Sequence, residues 1–425
     1  MSRLEKIDYP FLNQEIYFRH MNNGMNVYYL PKKGFQERSA ILTVNFGSID
    51  TKFTSNDYSK EYSSGVAHFL EHQLFRNQHG EDVGNQFTVL GSDSNAYTTF
   101  DKTSYFFSTV ESFEESLELL LDFTSSLHIT EESIQREKGI IEQEIAMYQD
   151  DPDYRLYSGI LANLYPNTPL AMDVAGTKES IGMLSLTDLK ENFDSFYRPD
   201  FKSLVLVGDF DVKAIDRIVR KRETNRRKTL PEIVRPNLDL VQPVVKSSIQ
   251  MDVTTSKLGL GFRGNLAPGL SIVENKLALR LFLAMLFGWT SHRYQDWYDK
   301  GKIDDSFDIE IEISERFGFV ILMLDTEQPI AMGTQLRKNL INVRQNKDVN
   351  QNHLITIKNE IYGEFIRSLD SIEELGHQFL QYQDEDYSYF DFPNLLTKLD
   401  LETIITVGEY FFNQAEKTEF IVFPK

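Results

Sequence analysis

The sequence predicts an α+β fold of two similar domains, each a mainly antiparallel sheet packed with helices. The chain has 425 residues, which is more than a single hydrophobic core usually organises, so two domains of roughly 200 residues each are expected. Short alternating apolar segments, typical of antiparallel strands, recur in both halves between helical patterns. A hydrophobic content of 41% and an aromatic content of 12% supply the material for packed cores.

The N-terminal half contains clear strand signals. Residues 40–46, with the sequence AILTVNF, predict a strand, and a helix should begin near Gly65. Residues 95–100 and 103–107 carry alternating bulky side chains on either side of Asp101-Lys102, which predicts a hairpin with a tight turn. Residues 203–208, SLVLVG, predict a further strand.

Three helical patterns accompany these strands. Residues 113–127 place Leu117, Leu120 and Leu121 on one side of a helix. Thr130, followed by two glutamates, is typical of a helix start because its hydroxyl can cap the first turn and the acids favour the positive end of the helix dipole. Residues 212–222 form the third pattern and complete a predicted N-terminal domain, residues 1–220.

Residues 221–245 predict an interdomain linker. This segment has little periodicity, three prolines and a basic cluster formed by Arg222, Arg226, Arg227 and Lys228. A charge run of this kind is more often a solvated segment than a specific anion site. We therefore expect a solvated connection.

The C-terminal half, residues 246–425, again combines apolar helices with alternating strands, which predicts a second domain of similar fold. A helix is expected over residues 277–287, alternating strands over 307–313 and 319–324, and a last strand near 420–423. A long helix is expected over residues 353–381.

Charge and composition exclude several classes of function. A formal net charge of −20 disfavours nucleic-acid partners, whose phosphates are bound by Lys and Arg. The N-terminus lacks the apolar stretch of a secretory signal, and no apolar run is long enough to span a bilayer, so we expect a cytoplasmic protein without a membrane partner. The absence of cysteine restricts any metal ligands to His, Asp and Glu.

The segment His68-Phe-Leu-Glu-His72 is the strongest chemical signal. Residues four apart lie on the same face of a helix, so His68 and His72 can bind one cation. Glu71 lies beside them and is placed to accept a proton from a metal-bound water. Catalytic zinc takes a third protein ligand and keeps the fourth position for water, so a carboxylate is expected elsewhere in the chain.

The third ligand is expected in residues 136–144, REKGIIEQE. Glu137 and Glu144 are seven residues apart, which places both on one side of the predicted helix, whereas Glu142 points elsewhere. We assign Glu144 as the third ligand and Glu137 as a carboxylate that orients a histidine or the water. The spacing alone does not decide which of the two glutamates has which role.

The simpler interpretation of a His pair is chance, because two histidines with this spacing occur on many helices that bind no metal. The intervening Glu71 and the second acidic helix favour a metal site. His79, in a loop after the motif, is more often solvated than functional. The remaining histidines are expected to be structural or surface residues: His20, His128, His292, His353 and His377.

With these residues identified, the chain resembles the insulinase and mitochondrial-processing-peptidase family of zinc peptidases, the pitrilysin-like inverzincins. The resemblance covers nearly the whole chain. The matching motifs are residues 65–72 (GVAHFLEH), 95–99 (NAYTT), 137–144, 150–152 (DDP), 175–181 (AGTKESI), 196–199 (FYRP) and 207–209 (VGD). The resemblance implies the LuxS/MPP-like metalloenzyme architecture, a Zn2+ cofactor and cleavage of short or unfolded peptides.

The resemblance also implies how substrate and subunits assemble. In such enzymes two related subunits enclose a chamber, and an extended peptide adds to a sheet edge beside the metal. Here that edge matches the substrate-binding positions Asn95, Ala96, Tyr97 and Thr98.

One family feature is missing. The C-terminal domains of the family often carry an Arg and a Tyr, seven apart, that hold the substrate, but the corresponding positions here are Tyr298 and Asp305. We therefore expect a heterodimer in which a related subunit supplies the Arg and Tyr, as for the zinc-bearing member of the paired bacterial processing peptidases. The alternative is a noncatalytic peptide-binding or structural subunit, which the complete set of His68, Glu71, His72 and Glu144 disfavours.

Overall fold

The computed structural model describes residues 3–55, 58–223, 231–341, 343–383 and 387–425. The chain divides into two compact units, each built from separate stretches of sequence. Unit 1 comprises Met1–Ile145, Met172–Pro236 and Arg367–Gln383, and unit 2 comprises Ala146–Ala171, Asn237–Ile366 and Asp384–Lys425. The continuous domains 1–220 and 246–425 stay a prediction; the compact units differ from them by including segments from the other half of the chain.

The elements alternate between strands and helices along the whole chain. The strands are β1 (Glu5–Tyr9), β2 (Gln14–His20), β3 (Asn26–Pro31), β4 (Arg38–Val44), β5 (Lys52–Ser55), β6 (Tyr58–Glu61), β7 (Ser92–Thr98), β8 (Thr103–Thr109), β9 (Lys202–Gly208), β10 (Ile233–Val234), β11 (Lys246–Met251), β12 (Lys257–Arg263), β13 (Asp308–Ile313), β14 (Gly318–Asp325) and β15 (Glu416–Pro424).

The α-helices fall between these strands and differ widely in length. They are α1 (Val66–Leu74), α2 (Val83–Val89), α3 (Phe113–Phe123), α4 (Glu131–Asp150), α5 (Pro152–Leu164), α6 (Lys178–Met183), α7 (Leu186–Phe196), α8 (Val212–Glu223), α9 (Ile272–Phe287), α10 (His292–Asp299), α11 (Pro329–Ile341), α12 (Gln351–Ser368), α13 (Ile372–Tyr382), α14 (Phe392–Lys398) and α15 (Leu401–Asn413). Among the described residues, no helix is both long and apolar enough to cross a bilayer.

Unit 1 is built on a seven-stranded sheet with the order β1-β2-β3-β9-β4-β8-β7. All neighbours are antiparallel except β3 and β9. Strand β4 is buried at every position after Arg38, because helices cover both of its faces. On one of these faces α13 packs against β4 and β9, and Gly376 allows a close approach to Ile41. Strand β7 lies at the edge of the sheet.

Unit 2 is built on a five-stranded sheet with the order β11-β15-β12-β14-β13. Helix α5 packs against β12 and β15. This packing explains two glycines in β12, since a Cβ at Gly259 or Gly261 would lie within 2.5 Å of Ile160 on α5. On another side of the unit, α15 packs against α9. Both units therefore combine mainly antiparallel sheets with helices, and the predicted α+β class is confirmed.

Most expected elements are present, with shifted ends. The hairpin is confirmed, but β7 ends at Thr98 and its partner begins at Thr103, so the turn has four residues instead of two. The expected helix over residues 353–381 is wrong, because α12 ends at Ser368 and α13 begins at Ile372. Ser371 lies between them and caps α13 by accepting a hydrogen bond from the backbone N–H of Glu374. A serine cap of this kind starts a new helix.

The expected linker is partly structured. Its first residues complete α8, where Arg222 forms ion pairs with Glu118 and Asp122 of α3, the latter at 2.7 Å. Strand β10 pairs with β5. The other three basic residues of the predicted cluster, Arg226, Arg227 and Lys228, lie outside the described residues.

The start of α1 depends on a glycine. Gly65 has a φ of 88°, which L-residues with a side chain rarely adopt. A Cβ at this position would also lie 2.5 Å from the backbone oxygen of Ala175. The segment before α6 therefore fixes where α1 begins.

Replacing Gly65 with alanine is expected to destabilise the protein by about 2 kcal/mol or more, because left-handed backbone costs other residues roughly 1–2 kcal/mol before any clash is counted. Thermal or urea unfolding measures the change. Gly139→Ala is the matched control: Gly139 lies within α4 with open space around it, so its replacement should be neutral or stabilising. Equal stability of the two variants would contradict the proposed constraint on α1.

Candidate metal centre

Helix α1 places three polar side chains inside unit 1. Both His68 and Glu71 are almost completely buried, at 9% and 8% exposure, and His72 is half-buried. Apolar residues of the same helix, among them Phe69 and Leu70, are fully buried. Because buried polar groups cost free energy unless they are paired, each of these side chains requires a partner from another element.

Helix α4 supplies carboxylates to both histidines. His68 Nε2 lies 3.6 Å from Glu144 Oε1, and His72 Nε2 lies 3.6 Å from Glu144 Oε2. His72 Nδ1 donates a hydrogen bond to Glu137 Oε1 at 2.9 Å. The two glutamates thus take different positions, with Glu144 facing both imidazoles and Glu137 behind one of them.

The geometry of His68, His72 and Glu144 fits a single divalent cation. One ligand atom from each residue lies within 4.8 Å of the others, the sole such group of His, Asp and Glu side chains in the described part of the chain. Ligand atoms at about 2.0–2.1 Å from a tetrahedral zinc are roughly 3.4 Å apart, which is close to the observed 3.6 Å separations. Two imidazoles and one carboxylate are also a ligand set of catalytic zinc.

The hydrogen bond to Glu137 determines which nitrogen of His72 is free. Since a carboxylate only accepts, Nδ1 carries a proton, and in the neutral imidazole Nε2 then presents its lone pair toward Glu144. Burial lowers the pKa of His72, but its hydrogen bond to Glu137 and the negative charges of Glu71, Glu137 and Glu144 outweigh burial, so the pKa is raised above its ordinary value of 6.5. The Nδ1 atom of His68, in contrast, is buried without a hydrogen-bond partner among the described residues.

Glu137 is held in place by a small polar network that the sequence did not indicate. Gln73, which is fully buried, donates to Glu137 Oε2 at 3.3 Å and accepts a hydrogen bond from Ser133 at 2.9 Å. Arg76 lies 3.9 Å from the same oxygen. Gln73 directly follows His72 and Ser133 precedes Glu137 by one helical turn, but neither position has a sequence signal by itself.

Glu71 receives a hydrogen bond from the edge strand. Thr98 Oγ1 donates to Glu71 Oε2 at 2.5 Å. The neighbouring Thr103 donates to the backbone oxygen of Phe46 at 2.9 Å. Thr98 was expected only as part of a peptide-binding strand, and no pattern in the sequence linked it to Glu71.

The other predicted substrate-binding residues lie along β7. Asn95 is exposed, and its side-chain oxygen accepts a hydrogen bond from the backbone N–H of Ala96. Tyr97 points to the opposite face of the sheet from Thr98, where its hydroxyl lies 3.3 Å from His377 Nδ1 of α13. Burial lowers the pKa of His377, and the positive charge of Lys102 adds to this effect.

Several other residues singled out from the sequence lie away from this cluster. Glu142 forms an ion pair with Lys178 at 3.2 Å, as expected for a residue pointing elsewhere. His79 is exposed and contacts Gln78. In unit 2, Tyr298 is 50% exposed on α10 and Asp305 is exposed in the turn before β13.

Comparison with known proteins gives the family. Residues 36–178 match the model of the insulinase family, peptidase family M16, and residues 184–361 match the model described as the peptidase M16 inactive domain. The chain is 35% identical over 411 residues to the uncharacterized zinc protease YmfH of Bacillus subtilis, covering 95% of each protein.

Solved structures agree with this match. An M16-like peptidase from Alicyclobacillus acidocaldarius is 28% identical, with a TM-score of 0.91 over 99% of this chain and 100% of that one. A protease from Helicobacter pylori, 19% identical, shares the fold with a TM-score of 0.78 over the full length of both chains. The candidate metal residues all fall within the first matched segment, and the chain belongs to the insulinase family of peptidases, family M16.

Proposed function

We propose that this chain is a zinc-dependent metalloendopeptidase that processes or degrades short or unfolded peptides in a chamber formed with a partner subunit. The observation that carries the proposal is the convergence of His68, His72 and Glu144 within 4.8 Å, with Glu71 on the same helix as the two histidines. The relatives named zinc proteases support the same chemistry.

In this proposal His68, His72 and Glu144 hold Zn2+. When bound, the ion lowers the pKa of a water molecule and polarises the peptide carbonyl. Glu71 accepts the proton from the water and passes it to the leaving amine, which is the usual work of a general acid–base group. Glu137 keeps the proton of His72 on Nδ1, so that Nε2 stays available as a ligand.

The substrate is proposed to bind as an added strand along β7. This strand ends the sheet order of unit 1, so one side of its backbone lacks a neighbouring strand among the described residues of that sheet. Pairing through the main chain along Asn95, Ala96, Tyr97 and Thr98 accepts many sequences, provided that the substrate is extended. The size of the chamber is proposed to select short or unfolded peptides over folded proteins.

A related partner subunit is proposed because Tyr298 and Asp305 occupy the positions where family members often have Arg and Tyr. Neither residue provides the guanidinium or phenol at the required position. The partner is expected to supply this pair, and the complex is expected in the cytoplasm.

Glu71→Gln tests the general base. The amide retains the size of the side chain but cannot accept the proton. Cleavage of a quenched fluorescent peptide mixture by the complex with the partner should therefore fall about 10²–10⁴-fold, while zinc content stays at one ion per chain. Glu142→Gln is the matched control, because Glu142 pairs with Lys178 away from the cluster. Native protein that stays free of zinc after equilibration with zinc would instead favour the noncatalytic peptide-binding subunit. Undiminished cleavage by Glu71→Gln would remove Glu71 from the role of general base.

Glu137→Gln tests the orienting carboxylate. The amide can turn its NH₂ toward His72 Nδ1 and favour the wrong tautomer, so zinc affinity should fall roughly 10–100-fold. Competition with a chromophoric chelator measures the affinity, with Glu142→Gln again as control. Unchanged affinity would show that the hydrogen bond to His72 is not needed for metal binding.

The partner prediction is tested by mixing. Alone, the zinc-loaded chain should cleave peptides weakly or not at all. Addition of a related chain with Arg and Tyr at the positions equivalent to Tyr298 and Asp305 should give a 1:1 complex in light scattering and a large increase in turnover. Full activity of the isolated chain would contradict the heterodimer.

A further inference from the structure

We infer that Thr98 is a positioning residue that fixes the Glu71 carboxylate to the peptide-binding edge strand. This inference rests on the proposed function of Glu71 as the general base. It assigns to Thr98 a role through its side chain, in addition to the backbone pairing proposed for β7.

The contact has a defined direction. Thr98 Oγ1 lies 2.5 Å from Glu71 Oε2. A carboxylate can only accept, so the single hydroxyl proton of Thr98 points to Glu71. Hydrogen bonds to an ionised acceptor are short and roughly twice as strong as those between neutral groups. Among the described residues, Thr98 is the side chain that donates to Glu71.

The donor itself is held rigidly. Threonine is branched at Cβ, which restricts its χ1 rotation. Thr98 pairs with Thr103 at the end of the β7–β8 ladder, and its Oγ1 lies 3.4 Å from that of Thr103. The Thr103 hydroxyl is already committed to the backbone oxygen of Phe46. Thr98 therefore has one strong acceptor, and that acceptor is Glu71.

Within the described part of the chain, no side chain other than Thr98 hydrogen-bonds to Glu71. Tyr105 and Tyr197 hydrogen-bond to each other at 2.7 Å and are fully buried near this carboxylate. Burial raises the pKa of both phenols, and the negative charge of Glu71 raises the values further, so both stay neutral.

This arrangement connects substrate binding to the base. Thr98 lies in the strand to which the peptide is proposed to add, and its side chain contacts the group that takes the proton. Pairing of a peptide with β7 would restrain the strand and, through Thr98, the orientation of Glu71. Loss of the hydroxyl should therefore lower kcat more than it raises KM.

The test compares Thr98→Val, which keeps the shape and removes the hydroxyl, with Thr98→Ser, which keeps the hydroxyl. Measured as the complex with its partner, Thr98→Val should lose about 10- to 100-fold in kcat with KM within roughly twofold, since hydrogen bonds to charged groups contribute about 1.5–3 kcal/mol. Thr98→Ser should recover most of kcat. Zinc content should equal that of the native protein in both variants.

Thr43→Val is the matched control. Thr43 is buried in the same sheet, on β4, and its hydroxyl lies 2.8 Å from that of Ser104, a neutral partner. This variant removes a buried hydroxyl without touching Glu71, so its kcat should stay near the native value. A loss equal to that of Thr98→Val would assign the effect to general damage of the sheet and overturn the inference.

Crystal structures of the zinc-loaded native protein and Thr98→Val provide a readout independent of turnover. The Glu71 carboxylate should leave its native position or occupy several orientations in Thr98→Val, and return to the native one in Thr98→Ser. An unchanged Glu71 in Thr98→Val would overturn the inference. Absence of all cleavage by the native complex would instead refute the proposed peptidase function, while the orientation of Glu71 would still decide the role of Thr98.

Discussion

The burial of ionisable side chains on α1 is the constraint on which the rest of the site depends. His68 and Glu71 lie in the interior of unit 1 on a helix whose other residues are largely core. Such groups are stable in the interior only when other elements supply partners. The partners come from two directions, with carboxylates of α4 facing the histidines and a hydroxyl of β7 facing the glutamate.

The two glutamates of α4, seven residues apart, contact the histidines in different ways. Glu137 and Glu144 are two turns apart on the same side of the helix, where Glu137 contacts His72 and Glu144 faces both His68 and His72. Glu137 lies deeper, with 4% exposure, and is fixed by His72, Gln73 and Arg76. Glu144 faces the Nε2 atoms of His68 and His72, each at 3.6 Å. The two glutamates therefore differ in burial, which no sequence pattern reports. The more buried Glu137 contacts one histidine from behind, and the less buried Glu144 is the candidate ligand.

Strand β7 combines an open edge with a side chain that reaches the interior. Because successive side chains of a strand point to opposite faces, Thr98 points toward α1 and Tyr97 toward α13. There the hydroxyl of Tyr97 lies within hydrogen-bonding distance of His377. The same strand therefore has its backbone at the end of the sheet and one side chain in contact with Glu71. The edge position of β7 is a property of the whole sheet, because it depends on the strand order, in which β7 comes last and pairs with β8.

From the sequence alone, the α+β class, most strands and helices, and the candidate site residues His68, Glu71, His72, Glu137 and Glu144 can be predicted, since local periodicity places residues on helix and strand faces. The break between α12 and α13 lies at the Ser371 cap, which the helical pattern of residues 353–381 does not reveal. Tertiary packing sets which glutamate faces both imidazoles and brings Thr98 to Glu71. These two features depend on contacts between residues 27 or more positions apart, such as Thr98 and Glu71, and chain periodicity carries no information about such pairs.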